Sequence, residues 1–278
     1  MRRHQRVLVR FGYDGARFHG VPPQPGLPTV GEALRLRLEA AAGTRARSLA
    51  WASRTDRGVH AHGNLATAAF PHDVDIVRVA LAVAVPRADG LSCVALRPVP
   101  ESVHARNVGV AKRYRYRIQD GVPAARVLHL ARSLGRARGP VEVGAAAPTR
   151  LERRSWPVAP RIDVARVRAA AAPLVGTHDF SSFAARLGQQ DPIREVTAIR
   201  TFRVSGVVHI DVSGRGFLRY MVRNIVGLLG EIGAGVHPLD HASAVLAARS
   251  RTAAGIMAPA RGLLLARIET ARDWFGDT

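Results

Sequence analysis

Hydrophobic spacing along this chain switches repeatedly between alternation and a helical period, and that order narrows the possible folds more than any single residue does. Residues 6–13 alternate as a strand and stop at Asp14-Gly15. Residues 29–42 read as a helix, with Thr29 as N-cap and Glu32 completing a capping box. Leu34 and Leu38 share one of its faces, and Gly43 ends it. Residues 49–53 and 65–70 read as strands on either side of a polar loop. Residues 74–85 form an apolar helical pattern closed by Pro86, and 91–99 a further strand. The order β-α-β-β-α-β is the split βαβ, or ferredoxin-like, arrangement.

A second pass of the same kind follows. Residues 112–119 alternate as a strand and 163–175 form a helical pattern. Strands at 197–204 and 207–212 flank Ser205-Gly206, a two-residue hairpin signal. Helices are expected at 217–232 and 241–249, and a last strand at 262–269. The expected fold class is α+β, built from two ferredoxin-like halves, 1–108 and 109–278. Within the second half, 131–160 carries Arg132, Arg136, Arg138, Arg150, Arg153 and Arg154 among four prolines. It reads as a solvated basic insertion, with a nucleic-acid-binding arm as the alternative.

Charge narrows the partner. The 278 residues hold 41 Lys+Arg against 21 Asp+Glu, a net charge of +20. Lys112 is the single lysine, so nearly every cation is an arginine. That balance favours a polyanion, first a nucleic acid, because the guanidinium fork grips phosphate bidentately. Arginine with so little lysine is also what a biased genome composition would produce. Cys93 stands alone, which excludes a disulfide scaffold and a thiolate-ligated metal centre. No apolar run reaches the roughly 18 residues of a membrane span, and a cytoplasmic location is expected.

The densest polar cluster runs from Ser53 to His62. Asp56 lies between Arg54 and Arg57, whose charges would keep its carboxylate ionised, fit to act as nucleophile or base. A surface ion pair is the plainer reading. His60 and His62 form an alternate pair, but no further ligands sit at metal spacing, so no metal is expected. In 217–232, Phe217, Met221, Ile225, Leu228 and Ile232 form one stripe, with Val222 and Val226 opposite. Such a helix is buried on more than one face, and Arg223 on it needs an acidic or phosphate partner, with Asp56 the attractive one, unless it reaches solvent by snorkelling. Tyr114 and Tyr116 alternate among Lys112, Arg113, Arg115 and Arg117, a pattern suited to stacking on a flipped base or to two core tyrosines. No nucleotide-cofactor motif occurs.

Read together, several segments resemble the tRNA pseudouridine synthase A family. Tyr13-Asp14-Gly15-Ala16-Arg17-Phe18-His19-Gly20 is similar to its YDGxxFxG opening. Arg54-Thr55-Asp56-Arg57-Gly58-Val59-His60-Ala61 resembles RTDxGVHA, and Lys112-Arg113-Tyr114-Arg115-Tyr116 resembles its tyrosine strand. Val103-His104-Ala105-Arg106 partly matches FHAR, and Gly176-Thr177-His178-Asp179-Phe180 with Phe183 is similar to GxHDFxxF. Phe217–Gly227 resembles FxxxMVRxxVG, and Ala258-Pro259 with Gly262-Leu263-Leu264-Leu265 resembles APxxGLxL.

The resemblance implies a continuous antiparallel sheet with a central basic cleft, usually in a homodimer. It implies isomerisation of uridine to pseudouridine in tRNA, in the anticodon stem-loop, without a cofactor. Asp56 would be the essential carboxylate, Arg223 its partner, and Tyr114 the residue stacking on the flipped uridine. Arg54 and Arg106 would contact RNA phosphates or the active-site loop, Arg57, His60 and Tyr13 would bind the RNA substrate, and Leu263 would wall the uracil pocket. The sequence departs from the family pattern after Gly20, where Val21-Pro22-Pro23-Gln24 replaces the usual GWQ continuation. Arg57 replaces the commoner alanine, and Asn107 stands where an aromatic is usual. The alternatives are a synthase for another RNA or a free uridine nucleotide, and a non-catalytic RNA-binding module.

Overall fold

The computed structural model describes residues 4–134, 146–185, 187–188 and 190–276. In chain order the elements are β1 (His4–Tyr13), α1 (Val30–Ala42), β2 (Ser48–Trp51), β3 (His60–Pro71), α2 (Ile76–Ala84), β4 (Leu91–Val99), α3 (Ala105–Val108) and β5 (Gly109–Gln119). Then follow α4 (Ala124–Leu134), β6 (Trp156–Pro157), α5 (Val164–Ala171), β7 (Gly176–Asp179), β8 (Ile193–Val204), β9 (Val207–Gly214), α6 (Met221–Gly233), α7 (His241–Ala248) and β10 (Leu263–Thr270). The fold is mixed α+β with mostly antiparallel strand pairing. No helix among the described residues is long and apolar enough to cross a membrane.

Two compact units divide the chain, Met1–Arg113 with Leu264–Thr278, and Tyr114–Leu263. The division differs from a cut at 108/109 in one important respect. β10 returns to the first unit, where Leu264 and Leu265 pair in parallel with His60 and Ala61. A local hydrophobic pattern marks a strand but does not say which sheet receives it.

In the first unit the strands lie in the order β4-β1-β3-β10, with β2 also on β3. Val7, Leu8, Val9 and Phe11 of β1 are fully buried, as are Leu34 and Leu38 of α1. The caps follow from sequence. Thr29 Oγ1 accepts the Glu32 N–H at 3.4 Å, and Gly43 closes α1 at φ 66°. The capping box is only half made, because the Glu32 carboxylate turns to Arg35. β3 is longer than its apolar run suggested and begins at His60, so His60 and His62 are strand residues, not loop residues.

In the second unit the order is β5-β9-β8-β7, with β6 pairing in parallel to β5. Ser205 (φ 49°) and Gly206 (φ 77°) make the β8–β9 turn, both positive as the primed hairpin turn requires. Asp120 takes two bonds from Arg203, at 2.6 and 2.8 Å, and one from the Ile162 N–H at 2.8 Å, tying the approach to α5 to the hairpin. α6 is buried almost all round, as its sequence implied, but it begins four residues later than expected. Tyr220 is left-handed at φ 66°, so Phe217, Leu218 and Arg219 precede the helix.

Parts of the expected insertion 131–160 are described, and they include regular structure. Residues 135–145 lie outside the described residues. On either side, Leu130 of α4 and Ser155 are fully buried, and Trp156 pairs with Ile118. Thr149 and Glu152 exchange reciprocal hydrogen bonds, Glu152 N–H to Thr149 Oγ1 at 3.2 Å and Thr149 N–H to Glu152 Oε2 at 2.7 Å.

Candidate active site

The Asp56 loop is shaped from beneath by β1 and β3. Thr55 is buried, while Arg54 and Arg57 are exposed on either side of half-buried Asp56. The loop turns tightly, with the Val59 N–H on the Asp56 carbonyl at 3.1 Å and Gly58 at φ 82°. Tyr13 Oη lies 2.8 Å from Thr55 Oγ1. Asn64, fully buried on β3, donates to the Ser53 carbonyl at 2.9 Å and to Tyr13 Oη at 3.3 Å. Its Oδ1 accepts the Ser53 N–H at 3.2 Å. Two strands thus fix both ends of the short segment before Asp56.

The glycines of the opening motif have a steric cause. A β-carbon on Gly15 would lie 2.1 Å from the Val59 carbonyl oxygen, and one on Gly20 would lie 3.0 Å from the Thr55 oxygen. The Gly15 N–H donates to His60 Nδ1 at 3.2 Å, and Asp14 Oδ1 lies 3.1 Å from the same nitrogen. Val21, at the departure from the family pattern, is fully buried with its N–H on the Thr55 carbonyl at 3.3 Å. Tyr13 and His60 are both buried, 5% exposed each, Tyr13 against Thr55 and His60 against the Asp14-Gly15 turn. Arg106 is exposed on α3, which Thr67 Oγ1 anchors through the Ala105 N–H at 3.2 Å. Burial pushes the Lys112 ammonium below its ordinary pKa.

The second unit carries the remaining expected residues. Tyr114 is buried and packs edge-on against Phe217, ring centres 5.4 Å apart. Tyr116 is a core residue. It is fully buried, bonds the Pro259 carbonyl at 2.7 Å, and burial pushes its phenol well above the ordinary range. Gly262 is needed there, because a β-carbon would lie 2.5 Å from the Tyr116 ring. Leu263, 5% exposed, follows directly.

Arg223 is held on α6 by a carbonyl. Its Nε donates to the Ala258 oxygen at 2.7 Å, and the Ala258 N–H returns to the Arg223 carbonyl at 3.1 Å. The exchange depends on Gly227, where a β-carbon would lie 2.0 Å from the Ile256 oxygen. The glycine of FxxxMVRxxVG thus lets the segment before APxxGLxL cross the helix closely enough to grip the arginine. Asn224 secures the other side, donating to the Phe183 carbonyl at 2.6 Å and accepting from Arg251 at 3.0 Å.

Sequence reasoning missed Thr55, Asn64, Gly227 and Ala258 as supports. Asn64 left a readable trace, a lone amide at the head of the apolar run Leu65–Phe70. Among the described residues no group of three His, Cys, Asp or Glu is arranged to hold a metal ion.

An RNA-modifying isomerase is the class these motifs and their packing define. The family model for tRNA pseudouridine synthase matches residues 170–269. "tRNA pseudouridine synthase A" of Pseudomonas aeruginosa is 33% identical over 266 residues, 95% of this chain and 85% of that protein. The Bacillus pumilus protein of the same name is 34% identical, over 94% of this chain and 97% of its own length. The Nitrosococcus oceani one is 35% identical, over 95% and 93%. The chain belongs to the tRNA pseudouridine synthase A family and is a pseudouridine synthase.

Proposed function

We propose that this enzyme isomerises uridine to pseudouridine in tRNA, within the anticodon stem-loop. The observation that carries the reading is the Asp56 loop, in which one half-buried carboxylate sits between two exposed arginines on a rigidly supported turn. Exposed guanidinium groups suit phosphate, and a carboxylate on a backbone held from below suits attack at a single position. Asp56 supplies the reacting carboxylate, for the sugar or for a proton on the route to a glycal. In either case the N-glycosidic bond breaks, the uracil turns, a C–C bond forms, the C5 proton leaves and N1 takes up a proton. Arg223 is the cation paired with that carboxylate. Tyr114 stacks on the flipped base and Leu263 bounds the uracil, while Arg54, Arg57 and Arg106 take phosphates. Tyr13 and His60 act by holding the loop.

The same reading includes a cytoplasmic homodimer, two ferredoxin-like halves with a basic cleft, and catalysis without a cofactor. The relatives' names and the net charge of +20 support tRNA over a free nucleotide. The test is tritium release from tRNA labelled at uridine C5. Wild-type protein releases tritium and Asp56→Asn does not, while both melt at similar temperatures. Equal release from that variant would refute the role of Asp56. Binding of tRNA with no release from any RNA would refute catalysis.

A further inference from the structure

The residue that opens α6 breaks two local rules at once. Tyr220 sits at φ 66°, ψ 0°, where a β-carbon is sterically penalised. The other two described non-glycine residues with positive φ have local reasons: Ser205 makes a hairpin turn and Arg249 closes α7. A residue opening a helix is ordinarily extended, and its short polar side chain bonds an early N–H. Tyr220 makes no such cap. Helix formation therefore does not account for its conformation.

The surroundings enforce it. Leu218 is buried, the Met221 N–H bonds the Leu218 carbonyl at 3.1 Å, and the Ala185 N–H bonds the Arg219 carbonyl at 3.1 Å. The result of that turn is the position of the ring. The Arg223 guanidinium carbon lies 5.3 Å from its centre, and that of Arg219 lies 4.8 Å from it. Arg219 also donates to Tyr220 Oη at 3.1 Å. Arg223 is thus held at Nε by the Ala258 carbonyl and faced by an aromatic ring.

We infer that Tyr220 is a positioning residue, kept left-handed so that its ring orients the Arg223 guanidinium. Strain of this kind persists where the surrounding structure over-determines it, and it gathers at functional sites. The inference rests on the proposed role of Arg223 for its catalytic consequence, but the grip on Arg223 can be read without activity.

Two variants separate positioning from mere packing. Tyr220→Gly removes both the ring and the steric conflict, and Tyr220→Phe keeps the ring. The thermal midpoint of Tyr220→Gly should hold or rise while its kcat falls by about tenfold or more, with KM little changed. Tyr220→Phe should stay within about threefold of wild-type kcat. In nitrogen-labelled protein, the Arg223 Nε–H resonance, assigned by its loss in Arg223→Lys, should shift in Tyr220→Gly and stay in place in Tyr220→Phe. An unmoved resonance in Tyr220→Gly, or an unchanged kcat there, overturns the inference. Wild-type protein that releases no tritium would instead overturn the proposed function, and the resonance would still decide the grip.

Discussion

The Tyr13 hydroxyl lies 2.8 Å from Thr55 Oγ1, joining the end of β1 to the residue just before Asp56. Removing that oxygen breaks a buried hydrogen bond and weakens the hold of Asn64 on the same atom. Tyr13→Phe should lose about 1 kcal/mol of stability, the ordinary net value of one such bond. Tritium release should fall further than that loss explains, because the loop regains freedom. Parallel urea melts and kcat measurements check it; activity equal to wild type would show that the hydroxyl does not hold the loop.

Asn64 is the larger support. Its amide serves the Ser53 N–H, the Ser53 carbonyl, the Leu65 N–H and Tyr13 Oη, all in a fully buried position. Asn64→Leu leaves those backbone groups without their partner, and should cost about 3 kcal/mol. Asn64→Asp keeps the acceptor and loses the donor, so it should fall between. Chemical denaturation ranks the three proteins, and a Leu variant as stable as wild type would show that the Ser53 groups find other partners.

The way these supports are written explains what could be read in advance. Strands and helices came from spacing, because burial on one face imposes a period. The order from β1 to β4 was legible for that reason. Capping was legible as a pattern but not as an outcome. Thr29 and Glu32 match the capping box, yet Glu32 bonds Arg35; Thr149 and Glu152 have the same spacing and exchange both bonds. Competition for a carboxylate is a three-dimensional matter. The start of α6 was misplaced because hydrophobic period carries no information on a left-handed residue. β10 was found as a strand, but its parallel place beside His60 depends on a partner two hundred residues away in sequence, roughly, and loop closure at that range leaves no local trace. The site residues were legible through motifs. The atoms that hold them, the Ala258 carbonyl above all, are backbone groups that any side chain could carry.

Gly227 tests the crossing that brings that carbonyl to Arg223. A β-carbon there would lie 2.0 Å from the Ile256 oxygen, and backbone cannot yield cheaply. Gly227→Ala should destabilise by about 3 kcal/mol and lower kcat in the fraction that remains folded. Gly216→Ala is the control, since a β-carbon at Gly216 meets nothing within 4 Å. It should change stability by no more than about 0.5 kcal/mol. Thermal melts of the two variants side by side decide it, and equal effects would remove the steric argument.

Acid sensitivity should trace to Glu152. Arg126 donates to both of its carboxylate oxygens, at 2.9 and 2.8 Å, and the Thr149 N–H adds a third bond. Arg126, the largest influence, and Thr149 together hold the carboxyl down to about 2. The folded state therefore prefers the ionised form more than the unfolded chain does, whose glutamates titrate near ~4.3. Stability from this group is complete above the unfolded value and is lost as pH falls from about 4.3 towards the folded value. Glu152→Gln cannot titrate. It should cost about 1 kcal/mol at neutral pH, where the charge-assisted bonds weaken. The gap between wild type and variant should close as pH falls through that window, because the wild-type carboxyl is then protonated too. Urea midpoints of both proteins across the window measure it. A gap that stays constant with pH would mean that Glu152 contributes through shape alone.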